Sequence, residues 1–246
     1  INASLGGVSP DPEVIRLDRN QAEFSRTIWD YLDSAVSEAR VSNGRAALAR
    51  HRDTLAAIER RYGVPAEVVV AVWGMETNYG SFRGSSDVMR SLATLAHDGR
   101  RAEFFEAQLI AALKIVEAGD VAPRAMRGSW AGAMGHTQFM PTSFLDHAVD
   151  FTGDGKRDIW GEDPTDALAS TAAYLEHFGW VAGQPWGVEV RLPQGFDYAL
   201  TGHGTKKRPR DWAALGVRDM DGRVVPDHGR ASILVPGGAR GAAFMV

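Results

Sequence analysis

Apolar residues recur at three- and four-residue intervals, the spacing of amphipathic helices, along most of the chain up to residue 180. The spacing predicts a first helix from Arg26 that breaks at Asn43, before Gly44, and a second that ends at Gly63, in the position of a C-cap glycine. The later helices each open near a Ser, Asp, Thr or Pro and are predicted at about 86–97, 101–118, 141–150 and 165–178.

Two stretches depart from this amphipathic pattern. The segment after Pro65, AEVVVAVWGMET, is apolar on nearly every face and predicts a buried central helix. After Trp180 the alternating stretches VEVRL and ASILV, separated by Gly and Pro, predict short strands. The pattern therefore indicates an α+β protein that is mainly α, with a small β-containing region at its C-terminal end.

Composition narrows the class of protein. Of 246 residues, 44% are hydrophobic and 24% charged, as in ordinary soluble globular domains. The net charge of −4 argues against nucleic-acid binding, and no apolar run is long enough for a transmembrane helix. The chain has no cysteine, which excludes disulfides, thiolate metal sites and cysteine nucleophiles. It begins at Ile1 without Met or a leader, so a processed or trimmed N-terminus is expected.

Glu76 is the sharpest candidate for chemistry. It lies at the end of the apolar helix, where burial, the negative end of the helix dipole and a scarcity of cations would all raise its pKa. An acid that stays protonated near neutral pH can protonate a departing sugar oxygen. The alternative is a helix-terminal glutamate bonded to the backbone of the following turn.

A second candidate region is the segment GSWAGAMGHTQFMPTSF, residues 128–144. Its small residues allow a ligand to approach the backbone, and its aromatic residues and methionines offer apolar faces to sugar rings. Taken alone, a tightly packed connector between helices explains the segment equally well.

Together these motifs resemble the lytic murein transglycosylase B family, glycoside hydrolase family 103, with an SLT_2-type domain. The resemblance is carried by GMETNYG, GRRAEFF, GSWAGAMGHTQFMPTSF, VDFTGDGKRDIW, DALASTAAYLEHFGW and DWAALGV, in the order of the family. It implies a lysozyme-like helical core over 63–180, a lead-in with flanking helices over 1–62, and a small β-containing region over 181–246.

The resemblance implies a peptidoglycan lytic transglycosylase that cleaves the MurNAc-β-1,4-GlcNAc bond and leaves 1,6-anhydroMurNAc ends. Glu76 matches the single catalytic acid and base of the family, and no Asp or Glu lies within 128–144. Two alternatives stay open. A muramidase-type hydrolase would use the same Glu76 with water, and a non-catalytic peptidoglycan-binding protein would keep the groove without turnover, although a pure binder gains nothing from a costly buried acid.

Further residues match substrate-binding positions of the family. Ser129 and Gln138 correspond to the saccharide groove, and Tyr174 corresponds to a tyrosine that faces the catalytic centre. Arg100 and Arg101 match paired arginines suited to bidentate bonds with carboxylates, unless they only form a solvated helix start. Phe104 stands where some relatives carry tyrosine. His136 is assigned no role.

An acidic loop resembles a calcium site. In a comparison with the EF-hand loop, positions 1, 3, 5, 6 and 9 are occupied by Asp150, Thr152, Asp154, Gly155 and Asp158. The Lys156 carbonyl would serve position 7, but position 12 is Gly161 instead of glutamate. In the family, a carboxylate at the place of Asp166 completes such a loop. A structural calcium is one interpretation, and an Asx-rich turn held by Arg157 and the backbone is the other.

The resemblance also implies partners and a location. Peptidoglycan glycan strands are the expected partner, with other cell-wall enzymes beside them, and no nucleic acid or required cofactor is expected. Because peptidoglycan lies outside the cytoplasmic membrane, the bacterial periplasm is the expected location, and outer-membrane association of a full-length protein stays open. The family usually continues past AAFMV into a further strand segment, so either this chain is truncated at Val246 or the match ends there.

Overall fold

The computed structural model describes residues 5–20 and 28–246, with the side chain of residue 28 left out. The predicted helix start at Arg26 lies outside the described residues. The chain divides into two compact units, the first formed by Ile1–Phe24 with Ala35–Ala182 and the second by Ser25–Ser34 with Gly183–Val246.

Helices dominate the described part of the chain, which confirms the predicted α+β, mainly α class. In chain order the helices are α1 (Pro12–Arg19), α2 (Ile28–Ala35), α3 (Glu38–Arg50), α4 (Arg52–Tyr62), α5 (Ala66–Thr77), α6 (Val88–Asp98), α7 (Ala102–Ala118), α8 (Pro141–His147), α9 (Thr165–His177) and α10 (Pro209–Ala214). Gly63 caps α4 in the left-handed conformation, as its position predicted.

The predicted helix break at Gly44 is wrong, because α3 runs through this residue and ends at Arg50. Gly44 serves packing instead. The ring of Tyr79 lies between α3 and α5, and a Cβ on Gly44 would lie 2.7 Å from the Tyr79 hydroxyl, as one on Gly74 would lie 2.6 Å from its ring. The hydroxyl donates to the Arg40 carbonyl at 2.7 Å. Two glycines thus let one aromatic ring join two helices.

Among the described helices, the longest continuous buried run lies in α9, whereas the sequence predicted a buried central helix at α5. Seven consecutive residues of α9, 166–172, are buried, and their small side chains allow other helices to approach closely. In α5 one face is open, since Glu67 and Ala71 are exposed and Met75 is 41% exposed. This open face lines a cavity of about 330 Å³ between α3 and α5. A segment that is apolar on nearly every face was therefore not buried on every face.

Two apolar clusters form the interior of the first unit. One joins α1, α6, α7 and α8 around Phe105, Ile115 and Phe144, and the other joins α3, α4 and α5 around Ile58, Val69 and Trp73. Helix α9 contributes to both clusters, which explains why it is buried. Strands β1 (Ser86–Asp87) and β2 (Arg127–Gly128) pair antiparallel beside these helices.

The second unit contains a four-stranded antiparallel sheet in the order β4-β3-β6-β5. Its strands are β3 (Val188–Arg191), β4 (Arg218–Asp219), β5 (Ile233–Leu234) and β6 (Ala243–Met245). The predicted strands in VEVRL and ASILV are thereby confirmed. Trp212 of α10 is fully buried in the apolar cluster of this unit and donates its indole N–H to the Ala231 carbonyl at 2.8 Å. Within the described ranges, no helix is both long and apolar enough to cross a membrane.

Candidate active site

Glu76 occupies the last turn of α5, one residue before the helix ends at Thr77. The sequence predicted a buried acid, but the residue is open to solvent. Protein atoms packed around the carboxyl group nevertheless desolvate it, and this partial burial raises its pKa above the ordinary value of 4.5. A carboxyl group that a substrate can reach and whose pKa is raised suits general acid chemistry.

The tertiary structure brings the motif around Glu76 to the segment 128–144. Thr77 donates its hydroxyl hydrogen to the carbonyl of His136 at 2.6 Å, across 59 residues of sequence. Gln138 donates its amide N–H groups to the carbonyl oxygens of Arg83 at 3.2 Å and Gly135 at 2.9 Å. The two motifs that the sequence identified separately are therefore in direct contact within the first unit.

Backbone strain is concentrated at the same place. Among the described residues, the non-glycine residues with positive φ are Asn78, Tyr79 and Gln138, at 49°, 59° and 53°. Two of them follow Glu76 and Thr77 directly, and the third belongs to segment 128–144. Such conformations cost on the order of 1–3 kcal/mol each and are retained mostly where function or packing requires them. Their clustering supports a functional site at this junction.

The predicted saccharide residues are fixed by the protein but keep polar atoms for a ligand. The Ser129 hydroxyl oxygen accepts the backbone N–H of Ala133 at 3.0 Å, which leaves its own hydrogen to donate. The Gln138 amide nitrogen is occupied by two carbonyls, which leaves the amide oxygen to accept. Their contact with a glycan stays a prediction.

Tyr174 and Phe104 lie in different surroundings. Tyr174 is half-buried in an aromatic cluster, with ring centroids 5.7 Å from Phe139 and 4.6 Å from Phe178. Phe104 is 47% exposed at the start of α7 and contacts Phe105 edge to face at 5.1 Å. The Phe139 contact connects Tyr174 to segment 128–144, whereas Phe104 makes no described contact with that segment.

The arginine pair binds an internal carboxylate. Asp18 of α1 is buried and accepts two bonds from Arg100, both at 2.5 Å, and one from Arg101 at 2.6 Å. These bonds, those of Arg100 first, lower the pKa of Asp18. The sequence suggested either a substrate contact or a solvated helix start for the two arginines. Neither interpretation included Asp18 as their partner. The outer sides of both guanidinium groups remain exposed, so binding of a substrate carboxylate stays a prediction.

We expect Asp18→Asn to lower the free energy of unfolding by about 2 kcal/mol, because charge-assisted hydrogen bonds are replaced by neutral ones. The folded-state pKa of Asp18 is lowered, so its contribution is complete above the unfolded pKa and is lost as pH falls through the folded pKa. Urea unfolding should show a constant difference near neutral pH that shrinks below about pH 4.

The matched control is Glu13→Gln on the same helix. Glu13 pairs with Arg16 at 2.6 Å, but both side chains are exposed, so its replacement should leave the free energy of unfolding close to that of the wild type. Equal losses in the two variants would contradict the structural role of Asp18.

The acidic loop brings three carboxylates together. One carboxylate oxygen from each of Asp150, Asp154 and Asp166 lies within 4.8 Å of the others. Asp166 is buried, and its pKa is raised, chiefly by desolvation and also by the charge of Asp150. Asp150 accepts the backbone N–H groups of 153 and 155 at 2.7 and 2.8 Å, as an Asx-rich turn requires. Arg157 does not hold this turn, since it pairs with Asp120 at 2.7 Å. Carboxylate oxygens at this spacing fit a hard divalent cation.

Sequence reasoning missed the residues that connect these parts. Arg83 donates to the Trp160 carbonyl at 2.9 Å and to the Glu162 carboxylate at 2.8 Å, which joins the turn after α5 to the end of the acidic loop. Buried His136 contacts both regions. No local pattern indicated the partners of either residue, because those partners are between 25 and 79 residues away.

Comparison with known proteins identifies the family. The model of the transglycosylase SLT domain matches residues 1–246, the whole chain. The chain belongs to the transglycosylase SLT domain family. Membership confirms the resemblance on which the residue assignments were based.

Several members of the transglycosylase SLT domain family are similar over most of this chain. Membrane-bound lytic murein transglycosylase B of Escherichia coli K12 is 35% identical over an alignment of 236 residues, and the match covers 90% of this chain and 62% of that protein. SltB3 from Pseudomonas aeruginosa, solved with NAG-NAM-pentapeptide and with NAG-anhNAM-pentapeptide, is 54% identical with a TM-score of 0.92, over 100% of this chain and 66% of that one. This chain thus spans under two thirds of both relatives.

The solved structures of the SLT domain family also confirm the lysozyme-like fold class. A structure of E. coli lytic transglycosylase Slt35 in complex with calcium is 33% identical to this chain with a TM-score of 0.83. That match covers 98% of this chain and 75% of Slt35.

Proposed function

We propose that this protein is a peptidoglycan lytic transglycosylase that cleaves the MurNAc-β-1,4-GlcNAc bond and forms 1,6-anhydroMurNAc ends. The observation that carries the proposal is Glu76, a solvent-accessible acid whose pKa is raised by desolvation, bound through Thr77 to the segment 128–144. The family and the named activities of its relatives support the same reaction.

In the proposed reaction Glu76 acts first as an acid and then as a base. Its carboxyl proton passes to the glycosidic oxygen as the bond from that oxygen to the anomeric carbon of MurNAc breaks. The resulting carboxylate removes the proton of the C6 hydroxyl of the same MurNAc, and that oxygen bonds to the anomeric carbon. No water is consumed, and Glu76 ends protonated.

A second carboxylate is unnecessary in this scheme. Most glycosidases use two, but the acetamido group of the sugar can support the anomeric carbon in substrate-assisted enzymes. The absence of Asp and Glu from 128–144 agrees with such assistance. Ser129 and Gln138 would then bind sugar hydroxyl and amide groups with the polar atoms that remain free, and Tyr174 would contact the sugar near Glu76.

We propose the bacterial periplasm as the location and peptidoglycan strands as the partner. SltB3 was solved with glycan-peptide fragments, and the E. coli relative is named a membrane-bound murein enzyme. Arg100, Arg101 and Phe104 would meet stem-peptide or muramyl groups at the exposed start of α7. Association with other cell-wall enzymes is part of the same proposal.

Mass spectrometry of products from purified peptidoglycan tests the reaction. We expect anhydro-muropeptides from the wild-type protein and none from Glu76→Gln run in parallel. Products heavier by one water would identify a muramidase-type hydrolase. Glycan binding without any product from either protein would identify a non-catalytic binding protein.

We also propose that the acidic loop binds structural calcium. Asp150, Asp154 and Asp166 would supply carboxylate oxygens, with Thr152 and the Lys156 carbonyl completing the shell. A divalent cation would relieve the repulsion by Asp150 that helps to raise the pKa of Asp166. The calcium complex of Slt35 supports this assignment. Calcium would stabilise the fold and take no part in bond cleavage.

Calcium titration should raise the melting temperature. Saturation at about 100 times the dissociation constant adds roughly 2.7 kcal/mol, or about 5–10 °C for a chain of this length. Asp154→Asn is the matched variant, because Asp154 is exposed and its replacement should fold. The shift should be smaller in that variant and smaller with magnesium. An equal calcium shift in Asp154→Asn, or none in the wild type, would contradict the site.

A further inference from the structure

A buried polar cluster contacts the end of α5 that carries Glu76. His136 is 3% exposed and accepts the indole N–H of Trp73 on its Nδ1 atom at 3.1 Å. Its backbone carbonyl accepts the hydroxyl of Thr77 at 2.6 Å. Trp73 and Thr77 are themselves buried. Two side chains of α5, one helical turn apart, are thus bonded to a single residue of segment 128–144.

The hydrogen bonds determine the state of the His136 ring. An indole N–H can only donate, so Nδ1 carries no proton and Nε2 carries it. Nε2 then donates to the Gly161 carbonyl at 2.8 Å. Arg83 lies 3.2 Å from the same Nε2, and its positive charge adds to burial in lowering the pKa of His136. The imidazole is therefore neutral, and both of its nitrogens are engaged in holding neighbouring segments together.

These two hydrogen bonds hold the last turn of α5 in place. Residues four apart lie on one face of a helix, so bonds from Trp73 and Thr77 fix both the rotation and the depth of that turn. Glu76 is the residue before Thr77 and turns with it. The chain after the helix is held as well, because the Gly80 N–H donates to the Thr77 hydroxyl at 3.0 Å and a Cβ on Gly80 would lie 2.5 Å from the His136 ring.

We propose that His136 and Thr77 are positioning residues that aim Glu76 at a saccharide held by segment 128–144. The inference rests on the proposed transglycosylase function. It adds two residues that act on Glu76 through helix α5 and not by direct contact with its carboxyl group. An error of about 1 Å in placing a catalytic group can cost about 100-fold in rate. Loss of this clamp should therefore lower turnover more than it lowers substrate binding.

The sharpest test compares Thr77→Val with Thr77→Ser, measured on soluble glycan fragments. Valine keeps the shape of threonine but lacks the hydroxyl, whereas serine keeps the hydroxyl. We expect Thr77→Val to lower kcat about 10- to 100-fold with KM within about threefold of wild type. Thr77→Ser should restore most of kcat.

A second comparison uses the two histidines whose rings contact Trp73. His51 and His136 both contact the indole edge to face, with ring centroids 5.4 and 5.6 Å away. Of the two, only His136 belongs to segment 128–144. We expect His136→Leu to lower kcat and His51→Leu to leave kcat near wild type. Because looser packing would hydrate Glu76 and lower its pKa, the alkaline limb of the His136→Leu pH profile should also move to lower pH.

The outcomes separate the two proposals. A wild-type protein without turnover would refute the transglycosylase function and the positioning role with it. A wild-type protein with turnover, alongside Thr77→Val and His136→Leu variants that melt earlier but keep kcat and its pH profile, would overturn the positioning role alone. Melting curves of each variant establish that the folded protein is being measured.

Discussion

Glu76→Gln is expected to lower the rate of glycan cleavage by about 10³-fold, the scale of a lost general acid. Glutamine has nearly the shape of glutamate but can neither give up a proton to the leaving oxygen nor take one from the C6 hydroxyl. Because Glu76 lies at the surface and makes no described ion pair, the variant should fold and bind glycan normally. The rate of product formation checks the loss of cleavage, and a separate measurement of glycan affinity checks that binding is normal.

The matched control for this prediction is Glu67→Gln. Glu67 is an exposed glutamate in the first turn of the same helix, so its replacement removes a similar charge without touching the last turn. Cleavage should be unchanged in this control. A Glu76→Gln variant that cleaved as fast as the control would remove Glu76 from the mechanism.

The wild-type pH profile should reflect the environment of Glu76. The acid must be protonated when the bond breaks, so activity falls as pH rises through its pKa. Desolvation raises that pKa above 4.5, and the alkaline limb should accordingly lie at a higher pH than a fully hydrated glutamate would give. A limb at or below the ordinary glutamate pKa would contradict the desolvated site.

Trp212→Ala is expected to lower the stability of the second unit by about 3–5 kcal/mol, the usual cost of truncating a buried tryptophan. Trp212 is fully buried, its ring centroid lies 6.4 Å from that of Phe196, and its indole N–H is bonded to Ala231. Alanine would leave a cavity and would remove one of the two hydrogen bonds that the Ala231 carbonyl accepts, the other coming from the Lys207 N–H at 3.0 Å. Hydrogen exchange of the β3 and β6 amides measures the effect, since these strands form the centre of the sheet.

Trp186→Ala provides the control in the same unit. Trp186 is 71% exposed, and its ring centroid lies 6.1 Å from that of Phe244. Its replacement should cost less than about 1 kcal/mol, as for surface substitutions in general. Equal loss of amide protection in both variants would mean that the sheet does not depend on the buried ring.

The sequence alone gave reliable information where the signal is local. Helix periodicity located α5 to α9 to within a few residues, and Gly63 was correctly identified as a helix cap. The helical break at Gly44 was wrong because a glycine can also be retained for close packing, and the Tyr79 ring that requires it is 35 residues away. Likewise, the apolar composition of α5 could not indicate that its Met75 face would stay open.

The sequence by itself determined the fold class, the family and the candidate acid, because each depends on periodicity or on residues within one motif. Only the tertiary structure decided that α9 is the central helix, that Asp18 binds the arginine pair, and that His136 and Thr77 hold the turn carrying Glu76. The last two features depend on contacts between residues about 60 to 80 positions apart. Such pairings are selected by the packing of complete helices, and no local pattern of polar and apolar residues specifies them.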